Sequence, residues 1–171
     1  MADRLRALAH AYRRPQRLVS ALNDELRGHG PESRFLTVAY VEVREDEKAG
    51  LRLRTILAGH PPPLLVTAAG EIRRLGSPGT LLGVYPSVNL RLERSRMAHG
   101  DTILLYTDGL ADAPRSAAVM TDERLAEVLC ELRDRPPGEQ AAAIEQLVNA
   151  EASQRHRRDD VAFLIARCIK E

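Results

Sequence analysis

Asp108 stands at the end of an apolar run, Thr102-Ile-Leu-Leu-Tyr-Thr-Asp-Gly109. A run this apolar is expected to form a strand buried on both faces, which delivers a carboxylate to the mouth of a core. Gly109 lets the backbone turn sharply there. A carboxylate held at a strand end suits a hard metal ion. The same pair is also an ordinary turn dipeptide, so Asp108 needs partners before it counts as a ligand.

Asp159-Asp160 offers them, immediately before the last apolar stretch. Adjacent acids at a strand start are commonly just solvated, but they repel each other and a cation relieves that repulsion. If the last strand lies antiparallel beside the Asp108 strand, the end of one and the start of the other come together. The result is an all-oxygen donor set for magnesium or manganese. Two such ions clamp a phosphate and activate a water for in-line attack.

Other residues carry weaker signals. His60, in Ala58-Gly-His-Pro-Pro-Pro-Leu-Leu65, is open to three roles: ligand, general acid or structural residue at a strand end. With no Cys, His or Asp at ligand spacing nearby, the structural role is favoured. Arg155-His-Arg-Arg158 reads as a solvated loop, with a phosphorylated partner as the lesser reading. No Gly-rich phosphate loop, Gly-x-Ser-x-Gly or Ser/His triad occurs.

The elements that must position these groups follow from periodicity. A helix is expected over residues 2–12, with Leu5, Leu8, Ala9 and Tyr12 on one stripe. A second is expected from Pro15 to Arg27, with Leu18, Val19, Leu22 and Leu26 buried and Gly28 as its stop. Strands are expected over 35–43 and 51–58, with a charged hairpin loop between them. A short hairpin follows over 64–67 and 71–75, turning at Gly70. A further strand is expected over 89–97, with Leu90 and Leu92 inward, and then the Asp108 strand. Leu125, Val128, Leu129 and Leu132 then mark a helix capped by Thr121 or Asp122. Pro136-Pro137-Gly138 separates it from another helix over roughly 139–153, and the last strand runs from Val161 to Ile169. A block of strands flanked by helices is an α+β layered arrangement with mostly antiparallel sheets, not a doubly wound α/β fold.

The chain has 171 residues, enough for one domain with a real core. Its net charge of +1 makes no electrostatic case for nucleic acid or membrane as the main partner. Aromatics are only 4%, with no Trp, so the core must rest on Leu, Val, Ile and Ala. Cys130 and Cys168 match no metal spacing and read as buried free thiols in a reducing cytosol. No apolar run approaches the ~20 residues of a membrane span. The N-terminus lacks the layout of a signal peptide, so a cytoplasmic location is expected.

Taken in order, Phe35-Leu-Thr-Val-Ala-Tyr40, Ala58-Gly-His-Pro-Pro-Pro-Leu-Leu65, Leu82-Gly-Val84, Gly100-Asp101, Leu105-Tyr-Thr-Asp-Gly109 and Asp159-Asp160 resemble one known family. It is the metal-dependent protein phosphatases of the stage II sporulation protein E and sigma-factor regulation type, bacterial relatives of the protein phosphatase 2C group. The resemblance covers nearly the whole chain, 1–171, as a single phosphatase-like domain. It implies an α-β-β-α sandwich with two mostly antiparallel sheets. It also implies hydrolysis of phosphoserine or phosphothreonine on a regulatory protein, such as an anti-sigma factor antagonist. Two manganese or magnesium ions and a bridging hydroxide nucleophile are implied, with no phosphoenzyme and no catalytic side chain. Asp108 and Asp159 match metal ligands of the family, with Asp160 in support and Gly109 as the adjacent turn. His60 falls where the wider group often has an aspartate associated with a third metal. Histidine is usual in this bacterial branch, and no metal role is carried over to His60.

One departure stands against these matches. The family's domain opens with a Gly-Asp-Val-x-Gly-x-Gly motif whose aspartate bridges the two metals. Nothing like it precedes Phe35, and Asp3 and Asp24 lie in helical stretches without the glycines. The expectation is an N-terminally truncated domain, the C-terminal portion of the family's catalytic domain. One sheet edge would then be left unfilled and open to self-association. The alternative to an enzyme is a non-catalytic phosphatase-like regulatory or binding module.

Overall fold

Three leucines and a valine decide where the first long helix forms. α1 (Pro15–Arg27) buries Leu18, Val19 and Leu22 and packs Leu26 beside them, the stripe expected from the sequence. Pro15 at the start costs nothing, because the first helical N–H has no intrahelical partner anyway. Gly28 ends the helix with its N–H shared between the Asp24 and Glu25 carbonyls. It does so in the right-handed region, φ −69°, and not through a left-handed turn.

The computed structural model describes residues 6, 8, 9, 11–28, 35–46, 50–107, 121–152 (side chains as far as 149) and 161–169. Of the first expected helix, Arg6, Leu8, Ala9 and Ala11 are helical, and the Tyr12 N–H donates to the Leu8 carbonyl at 2.9 Å. The other elements are β1 (Val38–Glu45), β2 (Leu51–Ala58), β3 (Leu64–Val66), β4 (Ile72–Arg74), β5 (Glu93–Met97), β6 (Thr102–Tyr106), α2 (Asp122–Glu131), α3 (Pro137–Ala152) and β7 (Phe163–Arg167). This is an α+β fold with two antiparallel sheets, ordered β1-β2-β5 and β4-β3-β6-β7. By contacts the chain divides into two compact units, residues 1–43, 53–62 and 76–95, and residues 44–52, 63–75 and 96–171.

In the first unit, the α1 stripe packs on Ile56 and Ala58 of β2 and on Leu82. Full burial of each such side chain contributes about 1.5–3 kcal/mol. Leu36 and Leu82 hold each other through two backbone hydrogen bonds of 3.0 and 2.9 Å. Leu90 and Leu92 face this core as expected, but the strand expected over 89–97 begins only at Glu93. Asn89 pairs instead with Thr80, accepting from its N–H and donating to its hydroxyl, both at 3.2 Å.

In the second unit, alternation sorts the sheet. Leu64, Val66, Leu104 and Tyr106, with Phe163 and Ile165, lie on the face that meets Leu125, Val128 and Leu129 of α2 and Ile144 and Val148 of α3. β7 is shorter than the stretch from Val161 to Ile169 and lies at a sheet edge, where Leu164 is 58% exposed. Its Arg167 turns inward, donating to the Thr102 hydroxyl and to the Arg133 carbonyl just past α2. α3 starts at Pro137, and Gln140, fully buried, donates to the Leu132 carbonyl at 2.9 Å. That bond ties the end of one helix to the start of the next.

Candidate metal centre

β6 is largely buried: Thr102, Ile103, Leu104 and Tyr106 are all at most 4% exposed, while Leu105 is only partly buried. β7 runs antiparallel to it, pairing Leu104 with Ile165, Leu105 with Leu164 and Tyr106 with Phe163. The ladder continues one pair further. The Thr107 N–H donates to the Ala162 carbonyl at 2.9 Å, and the Ala162 N–H donates to the Thr107 hydroxyl at 3.0 Å. The two strands through which Asp108 and Asp160-Asp159 are reached therefore lie side by side with opposite polarity. This is the arrangement on which a shared metal site depends.

Asp108, Gly109, Asp159 and Asp160, with Arg155-His-Arg-Arg158, lie outside the described residues. Among the described residues, no three His, Cys, Asp or Glu side chains gather where they could hold an ion. The chemistry of the donor set fits a hard dication: carboxylates only, with no soft ligand among them. The described strand pairing is consistent with that set.

His60 follows the last pair of β2. Its Nδ1 lies 3.0 Å from the Thr37 hydroxyl, and Val38 bridges Gly59 in parallel. The ring thus joins the start of β1 to the end of β2. Gly59 has φ +67°, and a Cβ there would stand 2.7 Å from that of Leu81, so the turn into His60 requires glycine.

Asp101 is 5% exposed, and both its oxygens are used by backbone donors. Ala68 N–H reaches Oδ1 at 2.9 Å and Ala98 N–H reaches Oδ2 at 2.8 Å. It fastens the β3–β4 turn to the turn that launches β6. Cys168, 3% exposed, donates its N–H to the Asp101 carbonyl. Burial, then the Asp101 charge, pushes the Cys168 thiol up from its ordinary range. Cys130 and Cys168 are both free thiols; Cys168 is buried as expected, whereas Cys130 is only partly buried.

Two contacts were not legible in the residue types. The Tyr106 hydroxyl donates to Asp122 Oδ1 at 2.6 Å. Burial, followed by that bond and the nearby charge, holds the phenol well above the ordinary tyrosine range. Thr121, not Asp122, caps α2, accepting from the Arg124 N–H at 3.2 Å. The available signal was a lone phenol in an aliphatic buried strand, which needs a partner for its hydroxyl. The second contact, in the other unit, is Asn23, 1% exposed. It accepts from the Gly83 N–H at 2.9 Å and donates to the Tyr85 carbonyl at 3.1 Å.

Residues 1–169 match the stage II sporulation protein E (SpoIIE) family. Protein IcfG of a Synechocystis strain is 31% identical over 85 residues, which cover 50% of this chain and 13% of that protein. The structure of the RsbU and RsbW domains of Rv1364c from Mycobacterium tuberculosis is matched over 96% of this chain and 45% of that one, at 25% identity and a TM-score of 0.72. Two structures of the SpoIIE cell fate determinant from Bacillus subtilis share the fold at 12% identity. Its PP2C phosphatase domain with a fragment of the regulatory domain gives a TM-score of 0.76 over 98% of this chain and 48% of that one. Its manganese-presoaked phosphatase domain gives 0.64 over 99% and 74%. The chain thus spans less than half the length of the first two proteins. No helix among the described residues is long and apolar enough to cross a membrane.

Proposed function

Since the chain belongs to the stage II sporulation protein E family, we propose that it is a metal-dependent serine/threonine protein phosphatase domain of the bacterial regulatory type. Its substrate is a phosphoserine or phosphothreonine on a cytoplasmic regulatory protein, such as an anti-sigma factor antagonist. The 171 residues act as one domain, the C-terminal portion of the family's catalytic unit. The observation that carries this reading is the β6–β7 pairing, which runs through Thr107 and Ala162 toward Asp108 on one arm and Asp160-Asp159 on the other.

Asp108 and Asp159 would hold manganese or magnesium, Asp160 would support Asp159, and Gly109 would turn the chain away from the site. When bound, the ions supply a nucleophilic water and neutralise charge on the phosphoryl oxygens. The protein's own part is to hold carboxylates of like charge close together, which the cations make tolerable. No side chain serves as nucleophile. Among the described residues β7 ends its sheet and Leu164 is 58% exposed, and copies associate through this edge.

A second reading is a binding module without catalysis. It is favoured by one fact: Gly100-Asp101 is the only Gly-Asp pair in the sequence, and Thr follows it, so no Gly-Asp-Val-x-Gly-x-Gly motif occurs among these residues. Manganese-dependent hydrolysis of a phosphopeptide or an aryl phosphate decides between the two. Turnover abolished by Asp108→Asn is expected of the enzyme. Phosphopeptide binding without turnover, unchanged by Asp108→Asn, would establish the module instead.

A further inference from the structure

The loop from Thr80 to Asn89, in the first unit, closes on itself. The Thr80 N–H donates to the Asn89 carbonyl and the Asn89 N–H donates to the Thr80 hydroxyl, both at 3.2 Å. A surface loop of this size with paired ends is an Ω-loop, a form that often carries function. Its middle is held from below. Leu82 is fully buried and exchanges two backbone bonds with Leu36. Gly83 and Tyr85 are fastened to the side-chain amide of Asn23 on α1, at 2.9 and 3.1 Å.

The tip of this loop is bare. Val84 is 50% and Tyr85 55% exposed, and Pro86 and Ser87 beside them are exposed as well. The antiparallel bridge between Leu36 and Leu82 sets Phe35 opposite Gly83, and Phe35 is 68% exposed. Two of the chain's six aromatic residues are therefore spent on this one surface. Apolar residues exposed singly need no explanation, but a group of them on a fixed support marks an interaction site. A support that is already ordered need not be ordered on binding, which spares that entropy.

The charges of the first unit set the sign of what it meets. It carries ten arginines against six acidic residues, whereas the second unit carries fifteen basic residues against eighteen acidic ones. Every described arginine of the second unit has a partner, in most cases a carboxylate. In the first unit Arg13, Arg14, Arg17, Arg27, Arg91 and Arg94 are exposed and make no ion pair among the described residues. Asp24 is the one exposed acid among the described residues of that unit. Two of these arginines adjoin the loop's supports: Arg27 lies one helical turn beyond Asn23, and Arg91 two residues beyond Asn89. An apolar centre with a polar rim is the anatomy of a protein interface, and a basic rim selects an acidic partner.

We propose that the tip of this loop, Val84-Tyr85-Pro86 with Phe35, is a docking surface for an acidic protein segment that carries an apolar anchor. The anchor packs on Tyr85 and Phe35, and the carboxylates of the segment meet Arg27 and Arg91. Tyrosine and arginine are among the side chains that most often dominate such contacts. Nothing in this surface depends on Asp108 being a metal ligand.

A random peptide library displayed on phage and selected on the full chain supplies the probe, and fluorescence anisotropy of the enriched peptides measures affinity. Enriched peptides are expected to combine Leu, Ile or Phe with Asp or Glu. Tyr85→Ala and Phe35→Ala should each weaken their binding at least about tenfold, as truncation of an anchor does. Arg27→Gln and Arg91→Gln should each weaken it about two- to fivefold and lessen the loss of affinity on adding salt. Ser87→Ala, on the same tip, and Asp108→Asn should leave it unchanged. Melting temperatures within about 3 °C of the unaltered chain establish that the variants are folded.

Peptides that bind Tyr85→Ala and Phe35→Ala as tightly as the unaltered chain would overturn the proposal, as would a selection that enriches no acidic peptide. A single-stranded oligonucleotide that displaces the peptides would overturn it in favour of a nucleic-acid surface. Sedimentation showing dimers that Tyr85→Ala abolishes would overturn it in favour of a second copy of this chain.

Discussion

Thr107 and Ala162 hold each other at the point where two strands run out toward acidic residues. One N–H···O=C bond is 2.9 Å and one N–H to hydroxyl is 3.0 Å. Because β6 and β7 are antiparallel, carboxylates on the two arms are expected to act as one donor set. Asp108→Asn and Asp159→Asn should each reduce Mn²⁺ affinity at least about tenfold, since removing a ligand costs no less than removing a residue that orients one. The double variant should bind no worse than the weaker single one, because once one donor is gone the other has little left to support. Calorimetric titration of the three variants checks this. Losses that simply add would mean that the two aspartates serve separate sites.

Asn23 and the loop after Leu82 make a second tight relationship, inside the first unit. A helix residue would ordinarily be chosen for its side-chain surface, yet this one is buried for its amide group. It satisfies the Gly83 N–H and the Tyr85 carbonyl at once. Asn23→Leu has nearly the right size but leaves both groups unpaired. It is expected to cost about 2–4 kcal/mol, the sum of two neutral unsatisfied groups at 1–3 kcal/mol each less the gain from an apolar side chain. Urea unfolding monitored by circular dichroism measures it. A loss below about 0.5 kcal/mol, less than one ordinary hydrogen bond, would show that water replaces the amide without penalty.

Elements whose faces are set by burial were legible in the sequence, and elements set by partners were not. α1 and β2 fall where periodicity places them, because Leu18, Leu22, Leu53 and Ile56 have only one way to be buried. The short hairpin at Gly70 was announced by its turn, which needs φ +87°. Residues 89–92 alternate like a strand, and Leu90 and Leu92 do point inward. The backbone of Asn89, however, pairs with the loop at Thr80, and the strand begins only at Glu93. Alternation reports which side faces the core, and it carries no information about which chain lies alongside. For the same reason the adjacency of β6 and β7 was a condition in the sequence and is an observation in the fold. Tyr106 and Asp122 were each visible as residues, but a bond across the fifteen residues between them leaves no local pattern.

Glu123 carries a pH signature. Its own backbone N–H, then the Thr121 hydroxyl and Arg74, hold its carboxyl below the ordinary glutamate range. A depressed folded-state value means that the ionised form stabilises the fold. The contribution is complete above the unfolded value and disappears as pH falls through the folded one. Glu123→Gln should therefore be less stable than the unaltered chain near neutrality, and the gap should close as the solution is acidified below the ordinary glutamate range. Thermal melts of both proteins across that interval read the effect. Because Glu123 is fully exposed, added salt should shrink the gap at neutral pH as well. A gap that persists in acid would place the effect in side-chain packing and not in charge.

Leu164 tests the open edge of β7. The strand lies at the end of the order β4-β3-β6-β7, and residues 161–166 carry no charge and no proline. Arg167, the one cation in the strand, is turned to Thr102 and the Arg133 carbonyl and cannot guard the edge. Edges of this kind are normally protected by charged side chains that oppose pairing with another chain. Leu164 is 58% exposed and Ile169 is 75% exposed, so apolar surface is offered along this strand and just past it. Leu164→Lys puts a charge on the exposed position without entering the cluster formed by Phe163 and Ile165. The substitution should leave the melting temperature within about 3 °C, since exposed substitutions fall within ±0.5 kcal/mol. It should also shift the sedimentation profile toward monomer at concentrations where the unaltered chain associates. An unchanged distribution of species would mean that copies meet through another surface.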